Sequence, residues 1–143
     1  MADRSAEVTW HGSLLEGGGT IDSVGSGAFG PLEVTWASRT EEPAGRTSPE
    51  ELIAAAHAYC FAMALSNVLA KAGTPPEQLS TSATVTFVPG QGITRVALRV
   101  RGRVPGIDAA TFQEQAAAGH AACPVSNALA AVPEITVDAA LEE

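Results

Sequence analysis

Two cysteines are the residues of this sequence best suited to redox chemistry, and they lie in different contexts. Cys60 lies within an alanine-rich segment, where a cysteine is commonly a small buried hydrophobe. Cys123 precedes Pro124, and a proline at the first helical position would leave Cys123 at the N-cap. There the helix dipole and the free backbone N–H groups favour a thiolate. Each cysteine alone is compatible with a structural or a reactive role.

A cysteine that attacks a peroxide needs a cation to hold its thiolate and a carboxylate to orient that cation. Glu51 stands three residues after Ser48 and completes a predicted capping box at the start of a helix. Glu50 has no such structural role, which makes it the better candidate for the orienting carboxylate. Arg39 and Arg46, in the preceding polar segment, are the nearest candidate cations.

The spacing of Glu50 and Cys60 limits how they can meet. Ten residues of straight helix separate them by about 15 Å along the axis, so they cannot touch within one helix. If both serve one site, the carboxylate comes from a second copy of the helix across a two-fold axis. A homodimer would also cover the apolar surface of this helix.

A zinc site is an alternative that uses the same cysteines. His57 and Cys60 are three residues apart, and His120 and Cys123 repeat that spacing. Two such pairs could supply the four ligands of a tetrahedral Cys₂His₂ site. Ser126 has no base near it in the sequence, so the pattern does not favour a serine hydrolase.

Length and charge exclude several classes of protein. The 143 residues fit one domain, predicted over 1–143, and 45% hydrophobic residues fit a globular chain. A formal net charge of −8 argues against nucleic acid or an anionic membrane as partner. The start of the sequence lacks an apolar run, and no stretch of about 18 apolar residues predicts a membrane span. These features, with only two cysteines, predict a cytoplasmic protein.

The elements that must position these residues follow an α+β order with an antiparallel or mixed sheet. A long helix is predicted from the Ser48 cap to Lys71, with Gly73 and two prolines after it. A second helix follows the Asp108 cap, and a third, short helix follows Cys123. Strands are predicted at residues 6–10, 20–24, 32–37, 80–88, 92–104 and 134–141, and residues 39–47 are predicted to form a loop.

The strand at 92–104 places four arginines on one face: Arg95, Arg99, Arg101 and Arg103. An anion site is one interpretation of this row. Pairing with acidic neighbours on an exposed face is the interpretation that the pattern favours, because charged residues commonly protect exposed strands from aggregation.

Four segments together resemble the OsmC/Ohr family of osmotically inducible and organic hydroperoxide resistance proteins. They are TSPEELIAAAHAYCFAMAL at 47–65, VPGIDAATF at 104–112, CPVSNAL at 123–129 and VTWHG at 8–12. The resemblance runs over nearly the whole chain and is closer to the OsmC branch. It implies an intertwined homodimer in which an antiparallel or mixed sheet wraps round a long central helix.

The same resemblance implies residue roles. Cys60 corresponds to the peroxidatic thiol, Cys123 to the resolving thiol, Glu50 to the site glutamate and Arg39 to the site arginine, with Arg46 as the alternative. The implied reaction reduces an organic hydroperoxide to an alcohol through a Cys60 sulfenic acid and a Cys60–Cys123 disulfide. An external dithiol, of the lipoyl type by the same resemblance, then reduces the disulfide. No metal or nucleotide cofactor is implied.

One further alternative is a non-enzymatic dimer whose interface pocket binds an apolar ligand, with Cys60 lining the pocket. Activity that depends on Cys60 distinguishes the enzyme from this binding protein. Metal analysis distinguishes both from a zinc-stabilised domain.

Overall fold

The structure, a computed structural model, describes residues 1–142 and divides into two compact units. The first unit is Met1–Leu52, and the second begins at Ile53. The secondary structure is α+β, as predicted, and its strands form two three-stranded sheets within residues 1–142. The prediction of a single domain over 1–143 stays a prediction.

The first unit contains an antiparallel meander of three strands. They are β1 (Ala6–His11), β2 (Gly18–Val24) and β3 (Leu32–Val34), in that spatial order. All six residues of β1 are exposed, so this sheet leaves an uncovered surface in the single chain.

The chain after β3 differs from the sequence-based prediction. The predicted strand 32–37 ends at Val34, and a short helix α1 (Trp36–Thr40) replaces its end and the start of the predicted loop. Thr35 is its N-cap: the Ser38 N–H donates to Thr35 Oγ1, and the Thr35 N–H donates to Ser38 Oγ. This reciprocal pair satisfies two backbone donors and explains why the helix begins there.

The long helix α2 (Pro49–Lys71) begins in the first unit, and most of it belongs to the second. Phe61, Leu65 and Leu69 recur at four-residue spacing and are fully buried, whereas Tyr59 and Met63 on another face are 72% and 61% exposed. By length and composition α2 could also cross a membrane, so the sequence-based exclusion of such a helix was too strict. The core helix of a non-membrane protein passes the same test.

The second unit also contains a mixed sheet. Strands β4 (Gln78–Val88) and β5 (Gly92–Arg103) form the predicted hairpin, and β6 (Glu134–Leu141) pairs in parallel with β5. Helices α3 (Ala109–Ala122) and α4 (Pro124–Ala128) precede β6. One hydrophobic core joins these elements, with fully buried side chains from α2, β5 and α3.

The arginine row of β5 is paired with acidic residues of β6 and with Glu142, which follows β6. Arg101 lies 3.0 Å from Asp138, and Arg95 lies 3.6 Å from Glu134. Arg99 and Arg103 form longer pairs with Asp138 and Glu142. Val96, Leu98 and Val100 on the other face are buried, which confirms both the predicted faces and the charge-pairing interpretation.

Candidate active site

The start of α2 separates the roles of its two glutamates. The Glu51 N–H donates to Ser48 Oγ at 3.1 Å, which confirms Ser48 as the cap. The exposed Glu51 carboxylate accepts a hydrogen bond from Thr47 Oγ1 at 2.9 Å. Glu50, in contrast, is only 7% exposed. A buried carboxylate requires a charged or hydrogen-bonding partner, because burying an unpaired charge costs roughly several kcal/mol.

That partner is Arg39. Its Nε lies 2.6 Å from Glu50 Oε1 and 3.3 Å from Oε2, and its guanidinium carbon lies 5.8 Å above the Trp36 ring. Helix α1, which the sequence analysis did not predict, carries Arg39 in its last turn. Ser38 Oγ lies 3.0 Å from the Thr47 carbonyl oxygen, which ties α1 to the residue just before the cap of α2.

Arg46, the alternative cation, lies elsewhere. Its Nε is 3.5 Å from Glu33, and both side chains are largely exposed. The structure therefore joins Arg39, rather than Arg46, to Glu50. A Thr-x-x-Ser pattern at residues 35–38 was the sequence signal that could have predicted α1 and the placement of Arg39.

The second unit brings the two cysteines together. Cys60, half-buried on α2, packs against the core cluster that contains the fully buried Cys123. Cys123 is the N-cap of α4, with Pro124 in the first turn and the Ser126 N–H directed at its Sγ at 3.5 Å. The prediction of Cys123 as an N-cap is confirmed.

The environments of the two thiols shift their acidities in opposite directions. Burial raises the pKa of Cys60, and Cys123 raises it further as hydrogen-bond partner and like charge, against a backbone hydrogen bond from Val125. Burial also acts to raise the pKa of Cys123, but hydrogen bonds from the N–H and hydroxyl of Ser126, from Cys60 and from Val125 outweigh it and lower that pKa. Within one chain, Cys123 is thus the thiol whose surroundings favour the thiolate.

Ser126 is a member of the site that the sequence analysis set aside. Its Oγ lies 2.7 Å from Nε2 of His57 and 2.8 Å from Nδ1 of His120. The repeated His-x-x-Cys spacing was the signal that could have placed both imidazoles beside the thiols. Within residues 1–142 no three or more His, Cys, Asp or Glu side chains form a group that could hold a metal ion, so the geometry does not favour the zinc alternative.

Comparison with known proteins assigns the chain to a class. Residues 42–138 match the family model described as OsmC-like protein. The peroxiredoxin OsmC of Escherichia coli K12 is 42% identical over 138 residues, covering 94% of each chain. The organic hydroperoxide resistance protein of Xanthomonas axonopodis pv. citri is 36% identical over 94 residues, covering 64% of this chain and 65% of that protein.

The fold gives the same class. The crystal structure of the organic hydroperoxide resistance protein OhrB of Bacillus subtilis matches with a TM-score of 0.64 at 25% identity, covering 96% of this chain and 98% of that one. The strands, the long helix and the matched structures define an OsmC/Ohr fold. This chain belongs to the OsmC-like family. The predicted family, the α+β fold of the chain and the enzyme class, a cysteine-based peroxidase of stress defence, are confirmed, and the intertwined homodimer stays a prediction.

Proposed function

We propose that this chain reduces organic hydroperoxides to alcohols, with Cys60 as the attacking thiolate and Cys123 as the resolving thiol. The adjacency of the two thiols in one core cluster is the observation that carries this assignment. The apolar side chains against which Cys60 packs favour an alkyl hydroperoxide over hydrogen peroxide. The names of the relatives agree with this substrate class.

The reaction balances in three steps. The Cys60 thiolate attacks the terminal peroxide oxygen, the O–O bond breaks, and the departing alkoxide takes a proton to become the alcohol. The resulting sulfenic acid reacts with Cys123: an S–S bond forms, the S–O bond breaks, and the thiol proton leaves with the hydroxide as water. An external dithiol, which we propose to be of the lipoyl type, then reduces the disulfide and becomes oxidised itself.

The first step requires a thiolate at Cys60, and one chain alone does not favour it. Burial raises the pKa of Cys60, and among residues 1–142 no cation is one of the groups that shift it. Arg39, positioned by Glu50, is the cation that this step needs. Because Glu50 and Cys60 are ten residues apart on α2, about 15 Å along the axis, we propose that Arg39 and Glu50 of a second copy complete each site.

The exposed face of α2 supports a homodimer. Tyr59 and Met63 border an open groove of about 660 Å³ that also includes Pro76 and Leu79. Exposed apolar surface of this kind marks protein interaction sites. The predicted cytoplasmic location belongs to this proposal too, because a thiol pair that cycles needs a reducing compartment.

The thiol chemistry is tested with the reduced protein and one equivalent of an alkyl hydroperoxide. Intact mass and free-thiol counts should show loss of both thiols and of about two hydrogens. Cys123→Ser should stop at a sulfenic acid that a dimedone-type reagent traps, and Cys60→Ser should leave the peroxide unreduced. Peroxide reduction by folded Cys60→Ser would contradict the assignment, and two unreacted wild-type thiols would favour the apolar-ligand binding protein instead.

The shared site is tested by complementation. Cys60→Ser chains, which should be inactive alone, and Arg39→Ala chains, which should be nearly so, are unfolded together and refolded as a mixture. If sites are shared, each mixed dimer has one intact site, and about a quarter of wild-type activity should return at equal mixing. If every site residue came from one chain, no activity would return. Sedimentation as a stable monomer would also contradict the shared site.

A further inference from the structure

A buried hydrogen-bonded network beside Cys123 has no role in the reaction described so far. His57 on α2 is fully buried, Ser126 on α4 is 4% exposed, and His120 on α3 is half-buried. Ser126 Oγ lies within 2.8 Å of one nitrogen of each imidazole. Three helices therefore meet at one hydroxyl, adjacent to a reactive sulfur.

The unpartnered nitrogen of His57 decides which way its hydrogen bond runs. Nδ1 of His57 is buried and has no hydrogen-bond partner among the described residues. A buried N–H without an acceptor is more costly than a bare lone pair, so Nδ1 carries the lone pair and Nε2 carries the proton. Nε2–H of His57 therefore donates to Ser126 Oγ.

The Ser126 hydroxyl can then direct its own proton elsewhere. A hydroxyl accepts two hydrogen bonds and donates one. In the tautomer of His120 that carries its proton on Nδ1, both imidazoles donate to Ser126 Oγ, and the Ser126 O–H is left for a third partner. The candidate acceptor is the sulfur of Cys123, which already receives the Ser126 backbone N–H at 3.5 Å. Two donors to the same oxygen polarise its O–H and strengthen the bond that it donates.

We propose that Ser126 is a catalytic residue of the disulfide-forming step, in which it stabilises the thiolate of Cys123, and that His57 and His120 are positioning residues that orient its hydroxyl. This inference rests on the proposed function. Ser126 acts when Cys123 attacks the sulfenic sulfur of Cys60. The S–S bond then forms, the S–O bond breaks, and the proton from Cys123 leaves in water.

The charged and titratable groups around Cys123 are few. Cys60 contacts it from α2, and the imidazoles of His57 on α2 and His120 on α3 reach the Ser126 hydroxyl beside it. The strand residues of the same core cluster are apolar, including Val96, and the arginines of β5 lie on the opposite, exposed face. Ser126 is thus the principal hydrogen-bond donor available to a Cys123 thiolate, together with the Val125 N–H.

The first test titrates Cys123 without any peroxide. In a Cys60→Ser background Cys123 is the only thiol, and its thiolate is followed by ultraviolet absorbance against pH. Adding Ser126→Ala should raise the midpoint by about one pH unit, the usual effect of one hydrogen bond to a charged group. His120→Ala should shift the midpoint in the same direction. His120→Asn keeps a donor near the Nδ1 position, so its midpoint should equal that of the Cys60→Ser background.

A helix-cap variant controls for general loosening of the helices. Asp108 caps α3 at the Thr111 N–H, and Asp108→Ala removes that cap without touching the network. Its Cys123 midpoint should stay in place. If Ser126→Ala leaves the midpoint unchanged, or Asp108→Ala moves it equally, the proposal is wrong. If Ser126→Ala does not fold, the His120→Ala and His120→Asn pair decides the question alone.

The second test measures the two oxidation steps separately in chains that keep both cysteines. After one equivalent of alkyl hydroperoxide is added, the intact mass of quenched samples is followed over time. The sulfenic acid appears as a gain of one oxygen over the reduced chain, and the disulfide appears as a loss of two hydrogens from it. Ser126→Ala should slow the second event about tenfold, in line with a shift of one pH unit, and leave the first within about twofold. Equal slowing of both steps would overturn the proposal. If the wild-type chain consumes no peroxide, the proposed function is wrong. The titration of Cys123 would still decide whether Ser126 stabilises its thiolate.

Discussion

Arg39 and Glu50 form an ion pair of 2.6 Å across eleven residues of sequence, with the Glu50 side chain only 8% exposed. Two adjacent helix starts create it: the Thr35 cap places Arg39 on α1, and the Ser48 cap places Glu50 in the first turn of α2. A cation held in this way keeps its charge and direction fixed before any substrate binds.

Arg39 and Arg46 provide a direct comparison of the two candidate cations. Arg39→Ala should lower kcat/KM for an alkyl hydroperoxide about 100-fold, because a positioned charge is lost from the first step. It should also lower the free energy of unfolding by about 1–3 kcal/mol, because the Glu50 carboxylate loses its charged hydrogen-bond partner. Arg46→Ala breaks only an exposed pair with Glu33 and should retain activity within about twofold. Equal losses in both variants would contradict the assignment of Arg39.

His57 should make stability depend on pH. Burial, and then the charge of His120, lower the pKa of His57 below its ordinary value. Below about pH 6.5 the unfolded chain therefore binds a proton that the folded chain excludes, so the free energy of unfolding falls as pH falls. The slope from this residue should approach about 1.4 kcal/mol per pH unit.

Two variants isolate that slope in chemical denaturation between pH 7 and pH 5. His57→Gln keeps a donor near the Nε2 position but cannot titrate. The slope of its unfolding free energy against pH should therefore be smaller by the amount that one bound proton contributes. His11→Gln removes an exposed histidine and should leave the slope unchanged. A slope that survives in His57→Gln would assign the pH dependence to other groups.

Gly119 allows α3 to approach α2 closely. A Cβ added there would lie 3.0 Å from Leu65 Cα, which is backbone and cannot rotate away. Gly119→Ala should therefore lower the free energy of unfolding by about 1–3 kcal/mol, although alanine is the better helix former. Ala118→Gly, at the exposed neighbouring position, should cost about 1 kcal/mol through helix propensity alone. Stabilisation by Gly119→Ala in thermal denaturation would contradict this packing account.

The exposed face of α2 should control the oligomeric state. Met63→Asp changes a side chain that is 61% exposed in the single chain. The free energy of unfolding of the single chain should therefore change by only about 0.5 kcal/mol or less. In a dimer that buries this face, the carboxylate would be unpaired, and sedimentation should show monomers with much reduced peroxidase activity. Gln113→Asp places the same charge on an exposed position of α3 and serves as the control. A fully dimeric, active Met63→Asp would exclude this face of α2 as the interface.

Local features of the fold followed directly from the sequence. The Ser48 cap, the end of α2, the Cys123 N-cap and the hairpin between β4 and β5 depend on a few adjacent residues. The arginine row was assigned to an exposed face because side chains alternate along a strand, and its acidic partners on β6 were found. Helix α1 was missed because a five-residue helix has too short a pattern to compete with the apparent strand alternation at 32–37.

By itself the sequence determined the family, the two cysteines, the candidate carboxylate and the order of most elements, because motifs and caps are encoded by neighbouring residues. Only the tertiary structure decided that Glu50 pairs with Arg39 instead of Arg46, that the strands form two sheets, and that His57 and His120 share the hydroxyl of Ser126. These relationships join residues up to 69 positions apart. Side-chain direction and the packing of separate helices fix them, and neither is expressed in the spacing of residues along the chain.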